Sequence, residues 1–154
     1  MNKLIKLISS ILLCQFAGII GSVFTFSAIS EWYAFLEKPF FSPPNWVFAP
    51  VWISLYTLMG IAFFLVWEKG LKENNKAVNF FYIQLALNAL WSVLFFGLKN
   101  PLIALIEILV LWLFIVLTIK EFYSIEKKAG YLLIPYLLWV SLATALNFAV
   151  WILN

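Results

Sequence analysis

Trp52, Tyr56, Met59 and Phe63 recur at i, i+4, i+7 and i+11, a spacing that places four large side chains on one face of a helix. Asn88, Trp91, Ser92 and Phe95 repeat the pattern at i, i+3, i+4 and i+7, and Trp139, Ala143 and Asn147 do so at i, i+4 and i+8. Each face mixes wide aromatic surface with one or two polar atoms. Brought together, they would wall an apolar cavity with sparse hydrogen-bonding groups, the usual makeup of a small-molecule site. The plainer reading is packing or lipid contact, with Asn and Ser as hydrogen-bonding glue between helices.

Other chemistry is short of parts. The chain has no His, its ten basic residues are all Lys and its seven acids are all Glu. It offers no imidazole base, no His ligand for a metal and no guanidinium fork for carboxylates or phosphates. Cys14 is the single cysteine and sits in an apolar run, so it reads as a small buried hydrophobe and allows neither an internal disulfide nor a CxxC pair. No acid–base pair or metal cluster points to hydrolysis or group transfer.

The elements that must hold these faces are membrane helices. The 154 residues are 65% hydrophobic and 11% charged, with a mean hydropathy of +1.01. A soluble domain is nearer ~45–50% apolar and ~25% charged, so lipid must solvate this chain. Five stretches reach the ~20 residues that cross the hydrocarbon, and each must be helical because unpaired backbone is too costly there. We expect a single domain over 1–154, an all-α membrane protein, with helices near 5–29, 46–68, 77–98, 101–123 and 129–153. The first run exceeds the ~7–15 residues of a signal-peptide core and no A-x-A site follows, so it is expected to be retained.

Eight lysines fall on the side that holds the N-terminus (Lys3, Lys6, Lys69, Lys72, Lys76, Lys120, Lys127, Lys128) and two, Lys38 and Lys99, on the other. The positive-inside rule then puts the N-terminus in the cytoplasm and the C-terminus outside. The net charge of +3 reads as topology rather than nucleic-acid binding. No internal repeat supports an autonomous transporter. Ala17-x-x-x-Gly21 and Gly18-x-x-x-Ser22 in the first span, and Ser141, Ala145 and Ala149 in the last, let helices approach closely, either within the bundle or at a dimer seam.

One connection stands apart. "WYAFLEKPFFSPPNWVFAPVW", residues 32–52, links the first two spans with four prolines and two charges. Pro39, Pro43, Pro44 and Pro50 fix the backbone, so the segment loses little entropy on settling into one path. Trp32, Tyr33, Phe35, Phe40, Phe41 and Trp46 supply apolar mass for a lid over the bundle mouth, or for an aromatic belt at headgroup depth. Glu107 is the one acid within a span, a functional candidate by default and otherwise a neutral or paired structural carboxyl bonded to an Asn, Gln or Trp of another helix, with Gln84 and Asn147 as candidate partners.

The stretch "WYAFLEKPFFSPPNWVFAPVWISLYTLMG" resembles the signature of the translocator protein family, also called tryptophan-rich sensory proteins. "QLALNALWSVLFFGLKNP" (84–101) and "PYLLWVSLATALNFAVWILN" (135–154) are similar to that family's third and fifth helices. The resemblance implies a five-helix bundle, often a homodimer, in the bacterial cell membrane, with a pocket under the first loop. It implies porphyrins, heme-pathway intermediates and drug-like aromatic compounds as ligands, with no cofactor required. The family's ligand contacts map onto Trp32, Tyr33, Trp52, Asn88, Trp91, Ser92, Trp139 and Ala143. Trp52 and Trp139 match the tryptophans linked in bacterial members to light-driven porphyrin breakdown, the nearest thing to a catalytic pair.

Three functions follow as alternatives: a porphyrin-binding receptor, a light- and oxygen-dependent porphyrin-degrading activity, or a transporter. Without His, heme would lack its usual axial ligand, so shape and stacking should govern binding and metal-free porphyrin should serve at least as well. Propionates would turn to Lys38, Lys99, backbone N–H groups or water. The family's mammalian members carry a sterol motif at the end of helix five; here "LNFAVWILN" has neither Tyr nor a basic residue, which argues against sterol transport.

Overall fold

The structure, a computed structural model, describes residues 2–71 and 75–154, the side chain of Asn75 excepted; Lys72 lies outside them. Those residues form six α-helices and no strand. They are α1 (Lys3–Glu31), α2 (Asn45–Glu68), α3 (Asn75–Ser92), α4 (Pro101–Ile125), α5 (Lys127–Leu132) and α6 (Ile134–Leu153). A π-helical turn, Val93–Gly97, continues α3, and α5 with α6 makes one crossing, so five segments are long and apolar enough to span a membrane.

Local chemistry sets the ends. Asn2 Oδ1 accepts from the Leu4 N–H at 2.8 Å and caps α1. Asn100 Oδ1 accepts from Ile103 N–H at 3.1 Å, with Pro101 in the first turn of α4 where its missing N–H costs nothing. Two expected boundaries shift. The helix expected over 129–153 breaks at Leu133, because Pro135 has no N–H to continue the ladder. The helix expected over 77–98 ends in the π turn, closed by Leu98 N–H to Val93 O at 2.8 Å, with Lys99 following at a left-handed φ of 54°.

Around the bundle, α1 packs on α2 and α3, α3 on α4, α4 on α6, and α2 reaches α4 through α5. Among the glycines, Gly60 makes the closest approach to another helix's backbone: a Cβ there would lie 2.5 Å from the Cα of Ile11. The half away from the long loop is more closely packed, with Phe63, Phe81 and Phe122 stacked in series at 4.8 and 5.5 Å and a smaller recess of about 190 Å³ beside Phe63 and Trp67. That end also carries the ion pairs Lys6–Glu68 (3.1 Å), Lys69–Glu126 (3.6 Å) and Lys76–Glu121 (3.6 Å). The loop-side half is hollow.

The loop divides the aromatics assigned to it. A 3-10 turn, Tyr33–Phe35, turns the Tyr33 ring inward, where it is buried. Phe35, Phe40 and Trp46 are 81%, 100% and 75% exposed, so they add no mass to a lid.

Candidate functional site

The hollow is a cavity of about 420 Å³, walled by α1, α2, the α3–π segment and α6 and roofed by Tyr33. That volume lies within the usual range for small-molecule pockets, ~300–1,000 Å³. Tyr33, Trp52, Asn88, Trp91, Ser92, Trp139 and Ala143 all line it. Trp32 does not: it sits behind the wall, edge-on to Phe95 at 5.5 Å and Phe96 at 6.5 Å. Of the α2 face, Trp52 and Tyr56 reach the cavity, while Met59 and Phe63 belong to the packed core.

The aromatic wall has definite geometry. Trp52 stacks on Tyr56 (centroids 5.4 Å, interplanar angle 26°) and meets Trp139 edge-to-face (6.4 Å, 89°). Phe48 adds a second edge contact to Trp139 at 5.8 Å. Across the cavity Trp91 stacks on Phe95 at 5.0 Å. The π turn carries Phe95 and Phe96 together into the wall, although i and i+1 on a regular α-helix diverge by about 100°.

The polar atoms are mostly engaged with one another. Tyr56 Oη donates to Asn88 Oδ1; Asn88 Nδ2 donates to Tyr136 Oη at 2.8 Å; Tyr136 Oη donates to Gln84 Oε1 at 2.8 Å. Trp91 Nε1 donates to Asn147 Oδ1 at 2.9 Å, and Asn147 Nδ2 donates to Pro101 O at 2.7 Å. Asn88 thus ties α2, α3 and α6 together in a medium where no water competes. Asn88→Leu is expected to strand the Tyr56 hydroxyl and cost about 2 kcal/mol, read as thermal unfolding in detergent. Tyr56→Phe added to it should recover part of that loss, since both partners are then gone. Trp139 Nε1 is buried and has no acceptor among the described residues.

Helix one supplies a wall that periodicity alone does not reveal. At Gly18 a Cβ would lie 2.5 Å from the Tyr56 ring, and at Gly21 it would lie 3.1 Å from Ser92 Oγ. Both glycines line the cavity, so these small residues build the site within the chain. The signal was present in the Ala17/Gly21 and Gly18/Ser22 spacing.

Two expected pairings are corrected. Glu107 bonds to neither Gln84 nor Asn147: the Asn147 amide is engaged by Trp91 and Pro101, Gln84 Oε1 accepts from Tyr136, and Gln84 Nε2 and both Glu107 oxygens are buried without a partner among the described residues. Glu107 also lies outside the cavity lining. Glu107→Leu is therefore expected to raise the thermal midpoint or leave it unchanged, because an unpaired buried polar group is a cost. Titration should find ligand affinity within about twofold of the parent, well under the 1.4 kcal/mol of a tenfold change. Lys38 does not offer its ammonium to the mouth. It donates to Tyr33 O (3.0 Å) and Leu36 O (3.1 Å) and lies 4.9 Å from the Tyr33 ring centroid.

Comparison with known proteins places this arrangement. Residues 10–152 match the TspO/MBR family. The tryptophan-rich protein TspO of Archaeoglobus fulgidus is 48% identical over 99% of both chains. The tryptophan-rich sensory protein of Cereibacter sphaeroides is 44% identical over 80% of this chain and 77% of its own. The human translocator protein is 38% identical over 86% of this chain and 80% of its own.

Proposed function

This chain belongs to the TspO/MBR family and is an integral membrane protein, and from that premise we propose that it is a receptor for porphyrins and other flat, largely apolar ligands. The observation that carries the reading is the cavity itself. It sets three tryptophan rings, Trp52, Trp91 and Trp139, around about 420 Å³ and keeps Ala143 small between them. A macrocycle stacked or met edge-on by such rings gains ~0.5–1.5 kcal/mol per aromatic pair beyond burial. Asn88 and Asn147 are spent on the frame, so polarity contributes little to recognition and shape contributes most. The positive-inside lysine count supports an orientation with the roof facing outward. A homodimer is compatible with the family, and no cofactor is needed for binding.

The second reading, light- and oxygen-dependent porphyrin breakdown, is favoured by the Trp52–Trp139 contact at 6.4 Å inside the cavity. Both atoms of dioxygen would add across one bridging carbon–carbon double bond of the excited macrocycle, which opens it. Illumination of the protein with protoporphyrin IX, with and without oxygen, separates the two. A receptor quenches tryptophan fluorescence and returns the porphyrin intact. The degrading activity yields an open-chain product two oxygen atoms heavier, lost in Trp52→Phe and Trp139→Phe while quenching persists. Absence of any saturable quenching would overturn both.

A further inference from the structure

The cavity has a fastened roof and an open side, and we propose that its ligand enters sideways, from the membrane leaflet on the loop side, through a slot between α1 and α2. The inference rests on the cavity being a binding site.

The roof is tied at both ends. Asn154 clasps the loop with two bonds: its Oδ1 accepts from Glu37 N–H at 3.0 Å and its Nδ2 donates to Glu37 O at 2.9 Å. The same Nδ2 donates to Val150 O at 2.8 Å, which anchors the clasp to α6. Lys38 draws the loop's own carbonyls inward, and Trp32 is wedged against Phe95 and Phe96. Opening the roof would break these contacts together.

The side differs. Ile19, Phe26 and Ile53 line the cavity and yet are 59%, 87% and 58% exposed at the outer surface. Ser22, Asn45 and Ala49 are likewise both lining and exposed. The lining residues of α3, the π turn and α6 are all buried or half-buried, so the exposed part of the lining is confined to α1 and α2. The lower edge of the slot is clamped. Gly60 seats α2 on the backbone of Ile11, and Gln15 Nε2 donates to Ile53 O (3.1 Å) and Thr57 Oγ1 (2.9 Å).

Chemistry names the traffic. The slot carries Ile, Phe, Ala, Ser and Asn side chains and no charge. An apolar planar molecule concentrated in the leaflet would keep its solvation on passing through. A solute arriving from water would first have to dissolve in lipid.

The test uses the protein in lipid vesicles with Ser22→Cys and Ala49→Cys joined across the slot by a short cleavable linker. Cys14 is wholly buried and stays out of the reaction. Protoporphyrin IX is supplied in the same vesicles and its arrival is followed by tryptophan quenching. The linked protein is expected to load and unload about tenfold more slowly than the same sample after cleavage, at an unchanged Kd, because a door alters the barrier and not the end states. Asn154→Ala, which unties the roof, should leave loading unchanged. Phe26→Ala, which clears the outer rim, should speed it and serves if the double-cysteine protein fails to fold. Equal rates with the slot linked and cleaved, no gain in Phe26→Ala, or faster loading in Asn154→Ala would each overturn the lateral route. No saturable quenching in the cleaved sample would overturn the binding site itself, and the route with it.

Discussion

Gly60→Ala is expected to destabilise the bundle by about 3 kcal/mol, the largest loss we anticipate from one methyl group. A Cβ at residue 60 would lie 2.5 Å from the Ile11 Cα and 2.8 Å from its N, and backbone atoms cannot swing aside as a side chain can. The helices must part, which disturbs the core around Met59 and Ala62 that this contact seals. Gly97→Ala is the matched control. There the nearest atom is the Phe24 ring edge at 2.9 Å, and Phe24 is exposed and free to turn. Thermal unfolding in detergent, followed by circular dichroism, should show a steep fall for Gly60→Ala and a small one for Gly97→Ala. Equal stability of the two variants would mean that α1 and α2 do not cross at Gly60.

Ala143→Trp is expected to weaken protoporphyrin binding by about 100-fold, roughly 2.7 kcal/mol, with the fold intact. Ala143 lines the cavity one turn from Trp139, where the wall has room because the residue ends at Cβ. An indole there would project into the open volume rather than into packed core, so the cost falls on the ligand and not on the protein. Ala143→Gly should bind as the parent does. Quenching titrations alongside thermal midpoints separate the outcomes. A fall in stability without a fall in affinity would place residue 143 in the frame instead of the site.

Much of this architecture was legible in the residues, for reasons that can be named. Helices in lipid have no alternative, so length and apolarity alone located five crossings near their observed places. Helical spacing correctly joined Asn88, Trp91, Ser92 and Phe95, and joined Trp139, Ala143 and Asn147, because each set shares one face of one helix. What spacing could not supply was rotation between helices. It assigned Met59 and Phe63 to the same face as Trp52, but the cavity ends at Tyr56 and the face below is filled by the Phe63–Phe81–Phe122 stack. The π turn was hidden because Val93–Gly97 is apolar like any membrane helix, and its effect is a change of phase. The break at Leu133 follows from Pro135, which has no N–H to continue the ladder. The loop was read by composition, which counts Phe40 and Tyr33 alike; the 3-10 turn decides that one faces out and the other in. Glu107 failed for a plainer cause. Asn147 is held by Trp91 and Pro101, while Gln84 accepts from Tyr136 and its Nε2 meets no acceptor among the described residues, Glu107 included.

The most direct measurement is photoaffinity labelling. A protoporphyrin analogue carrying a small photoreactive group is bound in vesicles and irradiated, and the labelled peptides are sequenced. A porphyrin seated in the cavity predicts adducts within residues 48–56, 88–96 and 139–150, all suppressed by excess unlabelled protoporphyrin and lost in Ala143→Trp. Adducts confined to the outward aromatics Phe35, Phe40 and Trp112, indifferent to competitor, would show that the porphyrin rests on the lipid-facing surface and that the hollow among the tryptophans is not its site.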